Sequence, residues 1–379
     1  MQEDNFDLIR PYTDQEVKDA IPRIVKDAAY KPMMDFLFSE EKQKKITKNL
    51  LNVKTIDEFQ QEFTLPCISS VVEKTSTSAT YSGLDNLSRS HKHMFIGNHR
   101  DIALDSSLLG LHMINNGITP PAMNWGSNLE VSQFIVDLGK CNQMITVFRD
   151  GSPKEILRNS QRLSAFINKF ISSNKKSVWI AQSKGRTKDG YDRVEASILK
   201  MLILSGDKNT KKACLDLNII PITISYELEP CGGMKVREVF LSQEEKYKKD
   251  PHEDFKSIIG GFTMQKGNIH VEFGKPINDK IDEVNENQTN NGIVRDVAAI
   301  IEREGHKNYK LWPTNYLAYD LLENSSRFEE HYNNETKEVL ENRCQMVFEV
   351  IKDDKEKLRK LFYKMYANPV YIKISEGFL

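Results

Sequence analysis

Long hydrophobic runs are absent from this sequence of 379 residues. A helix that crosses a bilayer needs about 20 predominantly apolar residues in a row, and the most apolar segment, 217–226, is shorter than that and rich in β-branched residues. Residues 1–10 are polar and acidic, which is unlike a signal peptide. We therefore expect no transmembrane segment, no secretory leader, and a location in the cytoplasm.

The sequence contains few cysteines, and their number and spacing do not suggest pairs. The five cysteines are odd in number, no C-x-x-C pair occurs, and the eight histidines do not cluster as ligands. These absences argue against a disulfide framework and against a zinc site. We expect reduced, mostly buried thiols and no metal.

An excess of either charge is also lacking. Lys and Arg number 53 against 54 Asp and Glu, which gives a net charge of −1. No bulk field therefore favours nucleic acid, and we expect no nucleic-acid partner. With 39% hydrophobic and 28% charged residues, the composition is that of a globular protein with room for more than one domain.

Three regions differ in pattern. Residues 1–75 are predicted to be helical, because the capping-box sequences Thr13–Glu16 and Thr55–Glu58 precede segments with helical periodicity. The Ser/Thr-rich stretch 74–82 is interpreted as the exit from this region. Residues 76–290 are predicted to form an α/β domain, and residues 291–379 a helical C-terminal region.

Strands and helices alternate in the middle region, which predicts an α/β fold with a central mixed sheet covered by helices. The predicted strands are 94–97, 144–148, 177–182, 219–226 and 268–273. The predicted helices are 104–115, 153–173, 193–204 and 244–259. The strands before His99 and Arg149 should deliver these two residues to one edge of the sheet, where α/β proteins usually place their sites.

The segment 94–106 carries the clearest chemical signal. An apolar strand runs into Asn98 and His99, and a helix follows with Asp101 and Asp105 in or near its first turn. A carboxylate there can accept a hydrogen bond from one imidazole nitrogen, which leaves the other nitrogen free to take a proton from a hydroxyl group. Backbone N–H groups of the turn are candidate oxyanion donors.

Two other interpretations of this segment are possible from its residues. A turn histidine whose neighbours merely cap the helix would show the same residues. The triplet His99, Arg100, Asp101 also matches the H-R-D signature of protein kinases, but Ser106 stands where that signature needs Asn. The sequence also lacks the glycine-rich loop that precedes this signature in kinases and the D-F-G motif that follows it. A kinase is therefore excluded.

Three further segments follow in order. The second predicted strand leads into Arg149, the third leads into a cationic loop with Lys184, Gly185 and Arg186, and the fourth contains Pro221. Arginine and lysine can bind a phosphate, and glycine allows close approach of the backbone. Taken singly, a loop of this kind is usually a solvated turn.

Together and in this order, these segments resemble the four sequence blocks of the glycerol-3-phosphate and 1-acylglycerol-3-phosphate acyltransferase superfamily. The first block, N-H-x-x-x-x-D, corresponds to Asn98, His99 and Asp105, with His99 as general base. The phosphate-contacting arginine of the second block corresponds to Arg149. The third block, typically E-G-x-R, corresponds to the loop 184–186, and the fourth to Pro221. The likeness spans about residues 6–322. In the segments 98–106, 189–190, 224–226, 274–276 and 309–315, the sequence resembles a bacterial, Bacteroidetes-type branch of the superfamily.

Two departures from the family pattern stand out. The spacing from His99 to Asp105 is one residue longer than usual, so either the turn bulges to bring Asp105 to His99 or Asp101 takes the orienting role. Lys184 replaces the glutamate of the third block. Lysine can contact phosphate but cannot accept a hydrogen bond, which would alter acceptor choice, slow the enzyme or mark a lineage without activity.

The resemblance implies transfer of a fatty acyl group from acyl-CoA, acyl carrier protein or acyl-phosphate to glycerol-3-phosphate or 1-acylglycerol-3-phosphate in phospholipid biosynthesis. It implies no cofactor, catalysis by His99 with Asp105, and phosphate binding by Arg149, Lys184, Gly185 and Arg186. Asn98, Asp101 and Pro221 would support the site. The protein would work from the inner surface of the cytoplasmic membrane. Two alternatives stay open, O-acylation of a glycine or ornithine lipid and a catalytically silent lipid-binding protein.

Overall fold

The computed structural model describes residues 6–88, 90–243, 247, 250 and 253–379. The strands in chain order are β1 Ser78–Ser82, β2 Met94–Gly97, β3 Ala122–Gly126, β4 Met144–Val147, β5 Val178–Ala181, β6 Ile219–Tyr226 and β7 Asn268–Phe273. The helices up to the middle of the chain are α1 Asp14–Lys26, α2 Tyr30–Leu37, α3 Glu40–Leu50, α4 Ile56–Phe59, α5 Leu65–Thr75, α6 Leu104–Asn115, α7 Gln133–Cys141 and α8 Pro153–Ser172. The later helices are α9 Ala196–Ile203, α10 Thr210–Asp216, α11 Gly232–Leu241, α12 Glu253–Thr263, α13 Asn278–Asp282, α14 Asn290–Asn308, α15 Pro313–Glu323, α16 Asn334–Val350 and α17 Lys355–Ser375.

The strands form one mixed sheet in the order β1-β7-β6-β2-β5-β3-β4. From β6 to β4 all neighbours are parallel, whereas β7 runs antiparallel to β6 and β1 runs parallel to β7. Every residue of β6 is buried, and its β-branched sequence suits a central strand covered on both faces. The chain is thus of the α/β class, with helices around a mixed sheet.

Each face of the sheet has its own hydrophobic core. Phe95 and Ile222 point to the face that also buries Ile24 and Phe59 of the N-terminal helices. Met94 and Ile219 point to the opposite face, which is covered mainly by α8, α9, α10 and α14. The N-terminal helices therefore pack directly on the sheet.

A continuous helical segment leads from the N-terminal region to the sheet. It begins at α4, passes through a π-helical turn at Gln60–Thr64, and ends with α5 at Thr75. Pro66 lacks the N–H group that an α-helix would use, so a locally wider turn is a physical accommodation to it.

The C-terminal helices split between two cores. The helix α14 packs on the sheet through residues such as Val294 and Ile301. The helices α15, α16 and α17 pack with α11 in a third hydrophobic cluster, which includes Val236 and Phe362. Among the described residues, no helix combines the length and the apolar composition needed to cross a membrane.

The predicted strands and helices agree closely with the structure, but several further elements were not predicted. The stretch 74–82, interpreted as an exit from the helical region, contains β1, and β3 was not predicted. The helices α7, α10, α11 and α13 were not predicted either. Residues 244–246, 248, 249, 251 and 252 of the predicted helix 244–259 lie outside the described residues, and the described helix starts at Glu253 and continues to Thr263. All five cysteines are buried and free, as predicted.

Candidate active site

The carboxyl ends of the parallel strands bring the candidate residues to one edge of the sheet. His99 follows β2, Arg149 follows β4, and the loop with Lys184 follows β5. Because these strands run parallel in one sheet, their carboxyl ends share an edge. The expectation that His99 and Arg149 emerge at the same edge is confirmed.

His99 and Asp105 form a contacting pair. The Nδ1 atom of His99 lies 3.2 Å from Oδ2 of Asp105, and the His99 side chain keeps 14% of its surface exposed. A carboxylate can only accept, so Nδ1 carries the proton and Nε2 holds the free lone pair. Within the described residues, Nε2 has no hydrogen-bond partner. The pair thus has the geometry of a histidine base oriented by a carboxylate.

Asp105 collects three further donors besides His99. Its Oδ2 atom accepts the backbone N–H groups of Arg100 at 2.7 Å and Asp101 at 2.8 Å. Its Oδ1 atom accepts the hydroxyl of Tyr226 at 2.8 Å. The two backbone contacts pull the turn back over the carboxylate, which is how Asp105 reaches His99 despite the extra residue in the spacing.

Tyr226 is the last residue of β6 and is fully buried. Burial, and next the negative charge of Asp105, raise the pKa of Tyr226 well above its usual range. The hydroxyl therefore stays protonated and acts as a donor to Asp105.

Asp101 has a different role from Asp105. Its Oδ1 atom accepts the N–H groups of Ala103 and Leu104 at 3.0 and 2.8 Å, so it caps the start of α6. Burial, and next the charge of Asp105, raise the pKa of Asp101 above its usual range. Of the two carboxylates considered from the sequence, Asp105 is the one that contacts the imidazole.

The backbone amides of the turn are mostly occupied. The N–H groups of Arg100 and Asp101 donate to Asp105, and those of Ala103 and Leu104 donate to Asp101. The expectation that the turn offers a set of oxyanion donors is therefore wrong for these four amides, because the two carboxylates that stabilise the turn already use them.

A buried group of charges fixes the turn from behind. The guanidinium of Arg100 contacts Asp192 at 2.7 Å and Glu229 at 3.2 Å. Lys235 pairs with Glu229 and donates to the carbonyl of Arg100 at 2.6 Å. Two cations and two carboxylates thus balance in the interior, and all four depend on one another for compensation.

Asn98 links β2 to β6 and to this charged group. Its Nδ2 atom donates to Asp192 at 3.0 Å and to the carbonyl of Ile224 at 2.9 Å, and its Oδ1 atom accepts the N–H group of Ile224 at 2.8 Å. The side chain therefore continues the pairing of the two strands and supports the residue before His99. Pro221 is a buried residue of β6 paired with Ile96.

Arg149 lies at the same edge beside the loop that follows β5. Its Nη1 atom donates to the carbonyl of Lys184 at 2.5 Å. Partial burial lowers the pKa of Arg149, while the negative charge of Glu195 opposes this effect. Glu195 also accepts the backbone N–H of Lys184 at 3.0 Å. A glutamate thus stands beside Lys184 although the sequence block lacks one there, and the Lys184 side chain is exposed.

Arg186 is buried rather than open to solvent. Its Nη2 atom donates to Ser257 of α12 at 3.0 Å, and its Nη1 atom is buried without a hydrogen-bond partner among the described residues. The arginine stands one position nearer to Gly185 than in E-G-x-R. Thr187, at the position of the pattern's arginine, donates its N–H group to the carbonyl of His99 at 2.7 Å. Gly185 is exposed.

Several residues of the site were not found from the sequence. Tyr226, Asp192, Glu229 and Lys235 reach it from distant segments, and so do Glu195 and Ser257. A polar residue at the carboxyl end of a buried strand is the signal that could have indicated Tyr226. Among the described residues, no group of three or more His, Cys, Asp or Glu side chains has the arrangement needed to hold a metal ion.

Comparison with known proteins adds little to the assignment of a family or a function. No protein-family model matches the chain, and no curated protein matches it. A solved structure with some likeness is the 1-acyl-sn-glycerophosphate acyltransferase PlsC from Thermotoga maritima, at 12% sequence identity and a TM-score of 0.36, over 76% of this chain and 93% of that one. A TM-score below 0.5 is too low to assign a fold, so the site rests on the geometry described above.

Proposed function

We propose that this chain is an acyltransferase that moves a fatty acyl group to the hydroxyl of glycerol-3-phosphate or 1-acylglycerol-3-phosphate in phospholipid biosynthesis. The acyl donor would be acyl-CoA, acyl carrier protein or acyl-phosphate, and no cofactor would take part. The observation that carries this proposal is the contact between His99 and Asp105, which leaves Nε2 of His99 free at the carboxyl edge of the sheet.

The proposed step needs only a base and an oriented acceptor. Nε2 of His99 takes the proton of the acceptor hydroxyl while the oxygen of this hydroxyl attacks the carbonyl carbon of the acyl donor. The bond from this carbon to the leaving sulfur or phosphate oxygen then breaks, and His99 returns the proton to a thiolate leaving group or to solvent. Asp105 stabilises the imidazolium formed in between. Because no G-x-S-x-G motif is present, we propose direct transfer without an acyl-enzyme intermediate.

The phosphate of the acceptor would lie against Arg149 and Lys184, with Gly185 allowing close approach. Arg149 is already oriented by the carbonyl of Lys184, and Lys184 and Gly185 are exposed beside it. Arg186 would add positive charge from beneath Ser257, since its Nη1 atom has no partner among the described residues. Asn98 and Asp101 would support the turn, and we propose that the chain works at the inner surface of the cytoplasmic membrane.

A direct test is incubation of the purified chain with labelled acyl-CoA, acyl carrier protein or acyl-phosphate and a panel of acceptors. The panel contains glycerol-3-phosphate, 1-acylglycerol-3-phosphate, lyso-glycine lipid and lyso-ornithine lipid. The proposal predicts labelled product with a phosphorylated glycerol acceptor. Label found only in an amino-acid lipid would show that the acceptor is such a lipid and not a phosphorylated glycerol. No transfer from any donor would favour the alternative of a catalytically silent lipid-binding protein.

A further inference from the structure

The helix α12 has its polarity reversed relative to an ordinary surface helix. Its buried face consists of Glu253, Ser257 and Gly261, which are polar or small. Its outward face carries Phe255 at 44% and Ile259 at 47% exposure, four residues apart and therefore side by side. A surface helix normally buries its apolar face and exposes its polar one. The arrangement leaves these two large apolar side chains in contact with solvent.

The buried face of this helix closes over the candidate site. Ser257 accepts a hydrogen bond from Arg186 at 3.0 Å, and its carbonyl accepts one from the thiol of Cys231 at 3.2 Å. Gly261 lies so close to Asp101 that a Cβ atom there would come within 2.3 Å of Oδ2. Polar and small residues thus face inward over the site because the surface beneath them is polar and crowded. Phe255 and Ile259 are directed outward, whereas Phe262 near the end of the helix packs against the core of the sheet.

Segments that follow β3 and β4 at the same edge of the sheet add further exposed apolar side chains. Val131 follows β3, and Ile156 and Leu157 lie near the start of α8, the helix that follows Arg149 in the chain. The segment after β3 is tied to the start of α12, because Asn128 donates to Asp254 at 2.9 Å. We call the set Val131, Ile156, Leu157, Phe255 and Ile259 the apolar rim.

We propose that the apolar rim, with α12 at its centre, docks the protein on a phospholipid bilayer, with Phe255 and Ile259 inserted at the level of the acyl chains. This deepens the proposed function and rests on it, since a bilayer is where a lipid acceptor or product would be held. Lys256 stands beside these residues and is exposed, so its stem can lie along the apolar surface while its ammonium group reaches lipid phosphates.

A second copy of the chain fits the rim less well than a bilayer does. With 11 residues, α12 is about 16 Å long, and it offers only two strongly exposed apolar side chains. A stable protein interface buries about 800 Å² on each partner, which these two side chains do not supply alone. Lipid can instead accommodate separate side chains on neighbouring segments without a complementary surface.

The test compares two double variants of the full chain by co-sedimentation with vesicles of phosphatidylcholine alone and of phosphatidylcholine with phosphatidylglycerol. F255S/I259S changes the rim, and L51S/L204S changes two exposed apolar residues that directly follow α3 and α9. We expect the wild type and L51S/L204S to bind vesicles equally and F255S/I259S to bind at least about tenfold more weakly. Turnover of glycerol-3-phosphate with a short, water-soluble acyl-CoA should be the same in all three.

Equal vesicle binding by F255S/I259S, or no binding by the wild type, would overturn the docking proposal. A wild-type dimer in sedimentation velocity that F255S/I259S converts to monomer would also overturn it and assign the rim to a second copy. The two proposals can fail separately. Vesicle binding that depends on the rim, in a protein that transfers no acyl group, would support the docking surface while contradicting the acyltransferase.

Discussion

At the scale of single residues, Asp105 is the point on which the site converges. One oxygen accepts His99 and two backbone amides, and the other accepts Tyr226. Each donor that shares the negative charge of this carboxylate weakens its hold on the proton of the imidazole. Tyr226 therefore influences how basic His99 is without touching it.

Replacement of Tyr226 by Phe should shift the pH dependence of the reaction. Loss of the hydroxyl concentrates negative charge on Asp105, which stabilises the imidazolium form of His99, so the acidic limb of the kcat/KM profile should move to higher pH. Loss of a hydrogen bond to a charged group should also reduce the free energy of unfolding by about 2 kcal/mol. Acyl transfer measured across pH checks the first effect, and thermal unfolding checks the second.

A matched control is Tyr30→Phe, which removes a buried hydroxyl bonded to Thr47 at 2.8 Å among the N-terminal helices. This variant should leave the pH profile where it is. An acidic limb that does not move in Tyr226→Phe, or that moves equally in both variants, would contradict the link from Tyr226 through Asp105 to His99.

Arg149 should be needed for the acceptor rather than for the chemical step. Arg149→Met removes a charged hydrogen bond to the proposed phosphate, so the KM for glycerol-3-phosphate should rise by about tenfold or more with a smaller change in kcat. Steady-state kinetics with varied acceptor checks this. Arg158→Met, an exposed arginine of α8, is the control. An unchanged KM would point to an acceptor without phosphate.

The residues of the site divide by their distance along the chain. His99 and Asp105 could be predicted because strand, turn and helix start lie within one short segment. Tyr226 and Asp192 could not, because each joins the site from more than 80 positions away through the pairing of strands and a returning loop. The burial of Arg186 under α12 could also not be predicted from the sequence, because it depends on how a helix distant in sequence packs.

At the scale of elements, the close seat of α12 on the turn after His99 depends on a glycine. A Cβ atom at Gly261 would meet Oδ2 of Asp101 at 2.3 Å, and Asp101 is fixed by its contacts with the start of α6. Gly261→Ala should therefore displace the helix and lower the free energy of unfolding by about 1–3 kcal/mol. Chemical denaturation measures this change.

Gly305→Ala is the comparison within another helix. A Cβ atom there has its nearest neighbour at 3.9 Å, the hydroxyl oxygen of Thr223. This substitution should be neutral or stabilise the protein by up to about 1 kcal/mol, because alanine favours helix more than glycine does. Equal stability of the two variants would show that α12 does not sit on Asp101 as described.

Elements with strong patterns were predictable and weak ones were not. The strands β2, β6 and β7 match their predicted bounds because they are apolar or alternate clearly between buried and half-buried positions. The strand β1 consists of Ser, Ala, Thr and Tyr on the edge of the sheet, and β3 lacks β-branched residues. Their pairing with neighbours, rather than their own composition, makes them strands.

At the scale of the whole molecule, the buried charges join parts of the chain that lie far apart in sequence. Arg100 of the turn, Asp192 of the loop after β5, Glu229 after β6 and Lys235 of α11 are all buried. Tyr366 of α17 accepts the N–H group of Glu229 at 2.9 Å, which connects the C-terminal helices to the same group. The turn after β2, the loops after β5 and β6, and the helices α11 and α17 thus all support the site.

Asp192→Asn should destabilise the whole protein. Burial alone would raise the pKa of Asp192, but its contacts with Arg100 outweigh this and lower it. A carboxyl group with a lowered folded pKa stabilises the protein above its unfolded pKa of about 3.9 and loses this effect as the pH falls through the folded value. The variant should lose about 3–5 kcal/mol near pH 7, because Arg100 is left undercompensated.

The difference in the free energy of unfolding between Asp192→Asn and the wild type should become smaller as the pH falls below about 4. Chemical denaturation at several pH values measures this difference. Asp216→Asn, which breaks an exposed pair with Lys212, should change stability by less than about 1 kcal/mol. A loss in Asp192→Asn as small as in this control would mean that the buried charges do not hold the fold together.

The most direct test of the account is the rate of acyl transfer by His99→Ala, measured in single turnover beside His91→Ala, an exposed histidine eight residues upstream. We expect His99→Ala to keep the wild-type circular dichroism and unfolding temperature while transfer falls by about 10²–10⁴-fold, and His91→Ala to transfer at the wild-type rate. Near-normal transfer by a folded His99→Ala protein would contradict the central claim that the free nitrogen of His99 is the base.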